Sequence, residues 1–143
     1  MGFDPISDYP IGAKRPELVR TATGIALEEL TLDGLRNGRL DADDVRAAPD
    51  TLRRQSAVAL AAGRPQLAEN LARAAELAAV PAETILEIYT ALRPGRSTAA
   101  RLEEWAARLE SAYAAPLTAA LVRDARAAYA ERKLLATGER AAV

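Results

Sequence analysis

The chain of 143 residues contains no histidine and no cysteine. That double absence excludes imidazole acid–base catalysis, thiol nucleophiles, disulfides and every zinc site built on imidazole or thiolate. Aromatic side chains are scarce: Phe3, Tyr9, Tyr89, Trp105, Tyr113 and Tyr129 are the whole set, whereas 34 residues are alanine. The core is therefore expected to be thin, because Ala-lined helices approach closely but each buries little apolar area. No sign of charge dominates, with 19 Lys or Arg against 20 Asp or Glu and a net charge of −1. Arginines spread along the chain rather than forming a basic stripe, so no nucleic-acid partner is expected. A long hydrophobic run is also missing. The best candidate, Ala57 to Ala62, ends at Gly63-Arg64, far short of the roughly 20 residues that cross a bilayer. Met1 to Pro10, interrupted by Asp4, Pro5, Asp8 and Pro10, does not read as a secretory leader. These readings predict a cytoplasmic protein with no membrane partner.

What is present is punctuation followed by helical periodicity. Pro5, Pro10, Gly12, Pro16 and Gly24 break both helix and sheet patterns. Residues 1–30 are expected to form an extended N-terminal arm, ordered only against another surface, such as that of another chain. A helical domain is expected over 31–143. Thr31 precedes a short helical segment, Leu32 to Leu35, which Asn37-Gly38 closes through left-handed backbone, and Asp41 caps a further turn. A helix then runs from about Pro49 to Ala62 and stops at Gly63. The next starts at Pro65, with Leu67, Leu71, Ala74 or Ala75, and Ala78 as its apolar row and Glu69 with Arg73 as an exposed i,i+4 pair. Ile85, Ile88, Tyr89 and Leu92 share the face of a third helix. Ser97 or Thr98 caps a fourth, striped by Leu102, Trp105, Leu109 and Tyr113. A last helix begins near Pro116, or continues the fourth through a kink, and carries Leu117, Leu121, Ala125, Ala128, Tyr129, Arg132 and Leu135. The tail from Gly138 is expected to fray. No strand alternation of useful length occurs, so the expected class is all-α: an open, irregular bundle of about four main helices, part of whose stability comes from a partner.

Candidate chemistry is thin. Asp41-Ala42-Asp43-Asp44 resembles the opening of a calcium loop, but position six is Arg46 and position twelve is Leu52, where glycine and a bidentate glutamate are needed. These acids are better read as a helix start facing the positive dipole end, and no metal site is assigned. Glu28-Glu29 and Glu103-Glu104 are neighbours whose side chains diverge by about 100°, so they are read as solvated faces. Ser7, Ser56, Ser97 and Ser111 lack a nucleophile elbow and a base. No catalytic, cofactor-binding or metal-binding residue emerges. Tyr89, Trp105, Tyr113 and Tyr129 fit a core, with some suited to anchoring an interface. Arg93-Pro94-Gly95-Arg96 leaves two readings open. Arg93 complements the negative end of the preceding helix, or Arg93 and Arg96 clamp a partner's carboxylates.

An ordered series of segments resembles the small subunit of adenosylcobalamin-dependent diol and glycerol dehydratases. It comprises Ser7-Asp8-Tyr9-Pro10, Thr21-Ala22-Thr23-Gly24, Asp44-Val45-Arg46, Thr51-Leu52-Arg53 and, most densely, Arg73 through Pro81. Ile85 to Tyr89, Ala91 to Pro94, Arg96-Ser97, Leu121 to Arg123 and Tyr129 to Arg132 continue it. The resemblance implies a structural, non-catalytic subunit of a lyase with two copies each of large, medium and small chains. In that family the large chain is an (α/β)₈ barrel holding substrate and metal, and the cobalamin lies between large and medium chains. Cobalt–carbon homolysis yields an adenosyl radical that drives dehydration of 1,2-propanediol to propanal or, as the alternative, of glycerol to 3-hydroxypropanal. No catalytic or cofactor-binding residue is carried over to this chain. Tyr9, Tyr89, Arg93 and Arg96 are the candidate partner contacts. Two departures stand out: Gly95 replaces a usual aromatic, and six residues precede Ser7 where microcompartment-housed relatives carry a longer Ala-, Pro- and Ser-rich leader. The short start leaves a bacterial microcompartment possible but unsupported, since another subunit could supply the address, and it looks more like the glycerol dehydratase branch, although substrate preference resides in the large subunit. A free-standing helical adaptor is the competing class, distinguished by its stoichiometry with partners. An independent small enzyme ranks last.

Overall fold

A computed structural model describes residues 2–137; the expected fraying from Gly138 onward lies outside the described residues. The chain divides into two compact units, 1–78 and 79–143. Among the described residues every regular element is helical, apart from an isolated bridge between Arg20 and Ala26. The all-α expectation holds.

In the first unit, residues 2–30 are a chain of turns rather than one straight run. Asp4 accepts the N–H groups of Ile6 and Ser7 at 2.8 and 3.1 Å, an Asx turn that competes with regular structure. A cis Tyr9-Pro10 peptide precedes α1, Ile11–Lys14, and Arg15 pairs with Asp8 at 2.8 Å and Glu17 at 2.6 Å. Single 3₁₀ turns follow at Pro16–Leu18 and Leu27–Glu29. The surface that orders this arm includes the helix of the same unit that starts at Pro49, because Arg54 Nη1 donates to the Leu18 carbonyl at 2.6 Å. Thr31 caps α2, Leu32–Arg36, by accepting the Gly34 N–H at 3.0 Å. Gly34 is buried, and a Cβ there would lie 3.0 Å from Leu40 Cδ1.

Asp41 caps a turn, as expected, taking the Asp43 and Asp44 N–H groups at 2.8 and 3.3 Å. No helix grows from it, which corrects the reading of these acids as a helix start. Asp44 instead turns inward. Its carboxylate accepts the Thr23 hydroxyl and the Asp41 N–H, and Thr23 in turn meets Thr21 Oγ1 at 2.9 Å. These bonds favour the ionised form and hold the Asp44 pKa below its ordinary value, the Thr23 hydroxyl contributing most.

Helices α3, Pro49–Ala61, and α4, Pro65–Leu77, both carry proline in the first turn, where its missing N–H is harmless. Gly63, at φ 71°, allows the reversal between them. Their buried residues are Ala59, Ala68 and Ala75, and Ser56 Oγ donates to the Ala68 carbonyl at 2.7 Å. The expected α4 row is therefore rotated: Leu67 and Ala78 are exposed and Leu71 is half-buried. Small side chains occupy the line of closest approach, which leaves the larger leucines on its flank. The Glu69–Arg73 pair forms at 3.5 Å.

The second unit contains α5, Ala82–Ala91, α6, Ala99–Tyr113, and α7, Pro116–Glu131. Thr98 provides the α6 cap, accepting the Arg101 N–H at 3.2 Å. The α6 stripe falls inward as expected: Leu102, Trp105 and Leu109 join Ile88, Ala106, Ala115, Ala119 and Val122 in one core, with Tyr113 and Tyr129 packed against it. Ala114 adopts left-handed backbone at φ 50° and ends α6, so α6 and α7 are separate helices rather than one kinked rod. The long helices, α3 to α7, thus number five among the described residues. On α7 the buried residues are Thr118, Ala119 and Val122, while Leu117 and Leu121 are exposed. The expected row is thus wrong at Leu117 and Leu121, but Tyr129 and Leu135 of that row do pack against the core. Arg123 bonds Glu110 through both terminal nitrogens, at 2.6 and 2.9 Å, and Glu103 at 2.9 Å, with Arg126 also on Glu103 at 2.9 Å. Glu103 is thus an interhelical ion-pair hub rather than a solvated acid, whereas Glu104 pairs within α6 with Arg101 at 2.9 Å.

Candidate subunit interface

Polar chemistry in the interior is already spent. Among the described residues no group of three or more His, Cys, Asp or Glu is placed to hold a metal ion. No helix there is long and apolar enough to cross a membrane, and no buried side-chain nitrogen or oxygen lacks a partner. Asp41 and Asp44 are occupied by backbone N–H groups and a hydroxyl, and Asp43 pairs with Arg46 at 3.2 Å. Ser56 is spent on a backbone carbonyl.

The surface is the unusual part. Among the described residues twelve large apolar side chains are exposed, seven non-alanine apolar residues are buried and the others are half-buried. Where the exposed hydrophobes of a chain this size gather in patches, they mark association surfaces. In the first unit, Tyr9 is 57% exposed and borders a hollow of about 780 Å³ with Ile6, Ile11, Val58, Leu67 and Leu71. A second hollow, of about 500 Å³, is lined by Leu30, Leu32, Leu35 and Val45.

In the second unit the expected stripe of α5 splits. Ile88 is buried, Ile85 and Leu92 are half-buried, and Tyr89 is 63% exposed beside Leu86 at 66%. Tyr89 stands about 100° around the helix from Ile88, beyond the narrow line that meets α6. Arg93 and Arg96 lie on the following turn, both exposed and without an ion pair among the described residues. The carbonyls at this end of α5 are satisfied otherwise: Thr90 C=O accepts the Arg93 N–H at 3.2 Å, and Leu92 C=O accepts the Tyr129 hydroxyl at 2.6 Å. Arg96 lines a hollow of about 560 Å³ with Leu86, Glu87, Thr90, Arg101 and Trp105. The Trp105 ring has Arg101 and Arg108 over it, at 5.1 and 5.2 Å.

The fold therefore brings Tyr89, Arg93 and Arg96 to one end of α5, while Tyr9 belongs to the other unit. Sequence reading passed over Leu86 and the two arginines on Trp105. The latter were detectable, since Arg101 and Arg108 stand four before and three after Trp105, one turn away on either side.

Residues 5–136 match the family described as dehydratase small subunit. The propanediol dehydratase small subunit of Salmonella typhimurium is 50% identical over 130 residues, covering 91% of this chain and 75% of that protein. The corresponding small subunit of Citrobacter freundii is 50% identical over 130 residues, covering 91% of this chain and 76% of its own length. With the family match running from the N-terminal turns to just past α7, and half of the aligned residues identical to those of two named relatives, the chain belongs to the dehydratase small-subunit family.

Proposed function

We propose that this chain is the non-catalytic small subunit of an adenosylcobalamin-dependent propanediol dehydratase, a hydro-lyase that converts 1,2-propanediol to propanal. The observation that carries this reading is the 50% identity, over 91% of the chain, to two propanediol dehydratase small subunits. It favours propanediol over glycerol as the substrate of the assembly. The partners are a large and a medium subunit, two copies of each chain being expected, in the cytoplasm.

No cofactor site is assigned to this chain. The hollow beside Tyr9, about 780 Å³, is on the scale of a drug-sized ligand and is smaller than a corrinoid with its nucleotide and adenosyl groups. The larger subunits hold the cobalamin, and no chemical step passes through a residue described here. The contribution of this chain is association: Tyr9 in one unit and Tyr89, Arg93 and Arg96 in the other are the assigned contacts, large amphipathic side chains of the kind that dominate interfaces.

The test is to tag the chain, purify it from cells that express its native neighbours, and determine the composition and native mass of what accompanies it. Two larger chains in equal stoichiometry, with cobalamin-dependent turnover of 1,2-propanediol exceeding that of glycerol, are the expected result. A chain that elutes alone, or with exchanging unrelated proteins, returns the reading to a free-standing adaptor.

A further inference from the structure

Most arginines with a nearby acid are engaged: Arg15, Arg53, Arg73, Arg123 and Arg126 all make ion pairs within their own unit. The face at the C-terminal end of α5 is different. Arg93 and Arg96 have no such partner, Arg108 is spent on the face of Trp105, and the acids beside them are Glu87, with Glu104 already committed to Arg101. A chain of net charge −1 thus carries a local cationic collar, next to two apolar side chains, Leu86 and Tyr89, that are each about two-thirds exposed.

The collar is also rigid. The turn from Arg93 to Ser97 is closed by the Arg96 N–H on the Arg93 carbonyl at 3.1 Å. It is pinned from outside by Gly95 N–H to Leu134 C=O at 2.7 Å, Ala136 N–H to Ser97 C=O at 2.9 Å and Tyr129 OH to Leu92 C=O at 2.6 Å. An exposed turn held at three points by the segment 129–136 presents its guanidinium groups from a fixed base, which lowers the ordering cost of binding.

We infer that this face binds an acidic amphipathic segment of a companion dehydratase subunit, whose carboxylates engage the guanidinium forks of Arg93 and Arg96 while its apolar side chains cover Leu86 and Tyr89. The inference rests on the dehydratase assembly proposed above. Planar guanidinium groups recognise carboxylates through two parallel hydrogen bonds, and Tyr beside Arg is the pairing enriched where interface energy concentrates. Nucleic acid fits less well, since Glu87 and two large apolar side chains sit where a phosphate backbone would run.

The test uses the full chain and its native larger companion subunits, with affinity measured by titration at low and at high salt. Wild-type protein is expected to bind both larger chains. Arg93→Glu with Arg96→Glu should weaken binding about tenfold or more at low salt and less at high salt, where charge is screened. Arg93→Lys with Arg96→Lys should fall between, keeping charge but losing the fork. Thermal midpoints should match wild type, because neither guanidinium makes an ion pair among the described residues. Should the double reversal fail to fold, Tyr89→Asp, which leaves the turn intact, is expected to weaken binding in its place. Wild-type affinity in the folded charge-reversal or Tyr89 variant overturns this surface alone, as does self-association of the chain through it. A wild-type chain that binds neither larger subunit overturns the dehydratase reading itself, and this inference with it.

Discussion

The two units solve the same problem, a shortage of large apolar side chains, in different ways. The second concentrates what it has: Ile88, Leu102, Trp105, Leu109 and Val122 meet in one core, and the Arg123 and Arg126 ion pairs brace α6 against α7. The first buries Leu40 and a few alanines, and leaves Ile6, Leu32, Leu35, Val45 and Leu60 exposed. It relies on polar ties instead: Thr23 to Asp44, Arg54 to the Leu18 carbonyl, and Ser56 to the Ala68 carbonyl. A neutral tie such as that of Ser56 contributes only about 1 kcal/mol net, whereas a buried Leu contributes about 2. The first unit is accordingly the one expected to gain most from a partner.

The largest expected effect tests the core. Leu109 is fully buried, and Leu109→Ala should cost about 2–5 kcal/mol by lost transfer energy plus the cavity left behind. Urea titration followed by fluorescence of Trp105, the sole tryptophan, reads the second unit directly. Far-UV circular dichroism reads both units. If the variant lowers the two transitions together, the units unfold as one and the contrast between them fails.

An intermediate effect is expected in acid. The folded-state pKa of Asp44 is lowered, first by the Thr23 hydroxyl and then by the Asp41 N–H. Below the ordinary carboxylate pKa of about 3.9, the unfolded chain therefore binds the more protons. The stability that Asp44 provides is complete at neutral pH and is lost as pH falls through its folded value. Asp44→Asn should lower the urea midpoint at neutral pH and flatten its decline below about pH 4. An unchanged acid profile in the variant would remove Asp44 as the tie. The smallest effect belongs to the surface: Arg73→Ala breaks the i,i+4 pair with Glu69 and should change stability by about 0.5 kcal/mol or less, in the same titration.

Much of this was legible beforehand because local signals carry it. Proline at the start of α3, α4 and α7, glycine at 38 and 63, and the Thr31 cap set helix limits through backbone chemistry alone. The stripe of α6 was also correct, since Leu, Trp, Leu and Tyr at helical spacing leave one face large enough to dominate. Faces lined by alanine were not legible. Leu67 on α4 and Leu117 and Leu121 on α7 stand outside, whereas Ala75 and Tyr129 of the same expected rows face inward, so the leucines alone did not locate the buried line. The inward turn of Asp44 was invisible for another reason: its partner Thr23 stands 21 residues away, and no local spacing encodes that meeting.

By itself, then, the amino-acid sequence determined the all-helical class, the helix limits, the absence of imidazole and thiol groups, and the family to which the chain belongs. All of these follow from backbone preference, residue inventory and ordered motifs. Only the tertiary structure decided which side of each alanine-rich helix is buried, that Glu103 bridges two helices, and that Tyr89 and Leu86 stand outward beside two arginines without an ion pair among the described residues. Those outcomes depend on which surfaces approach most closely, a property of packed helices that no single helix carries.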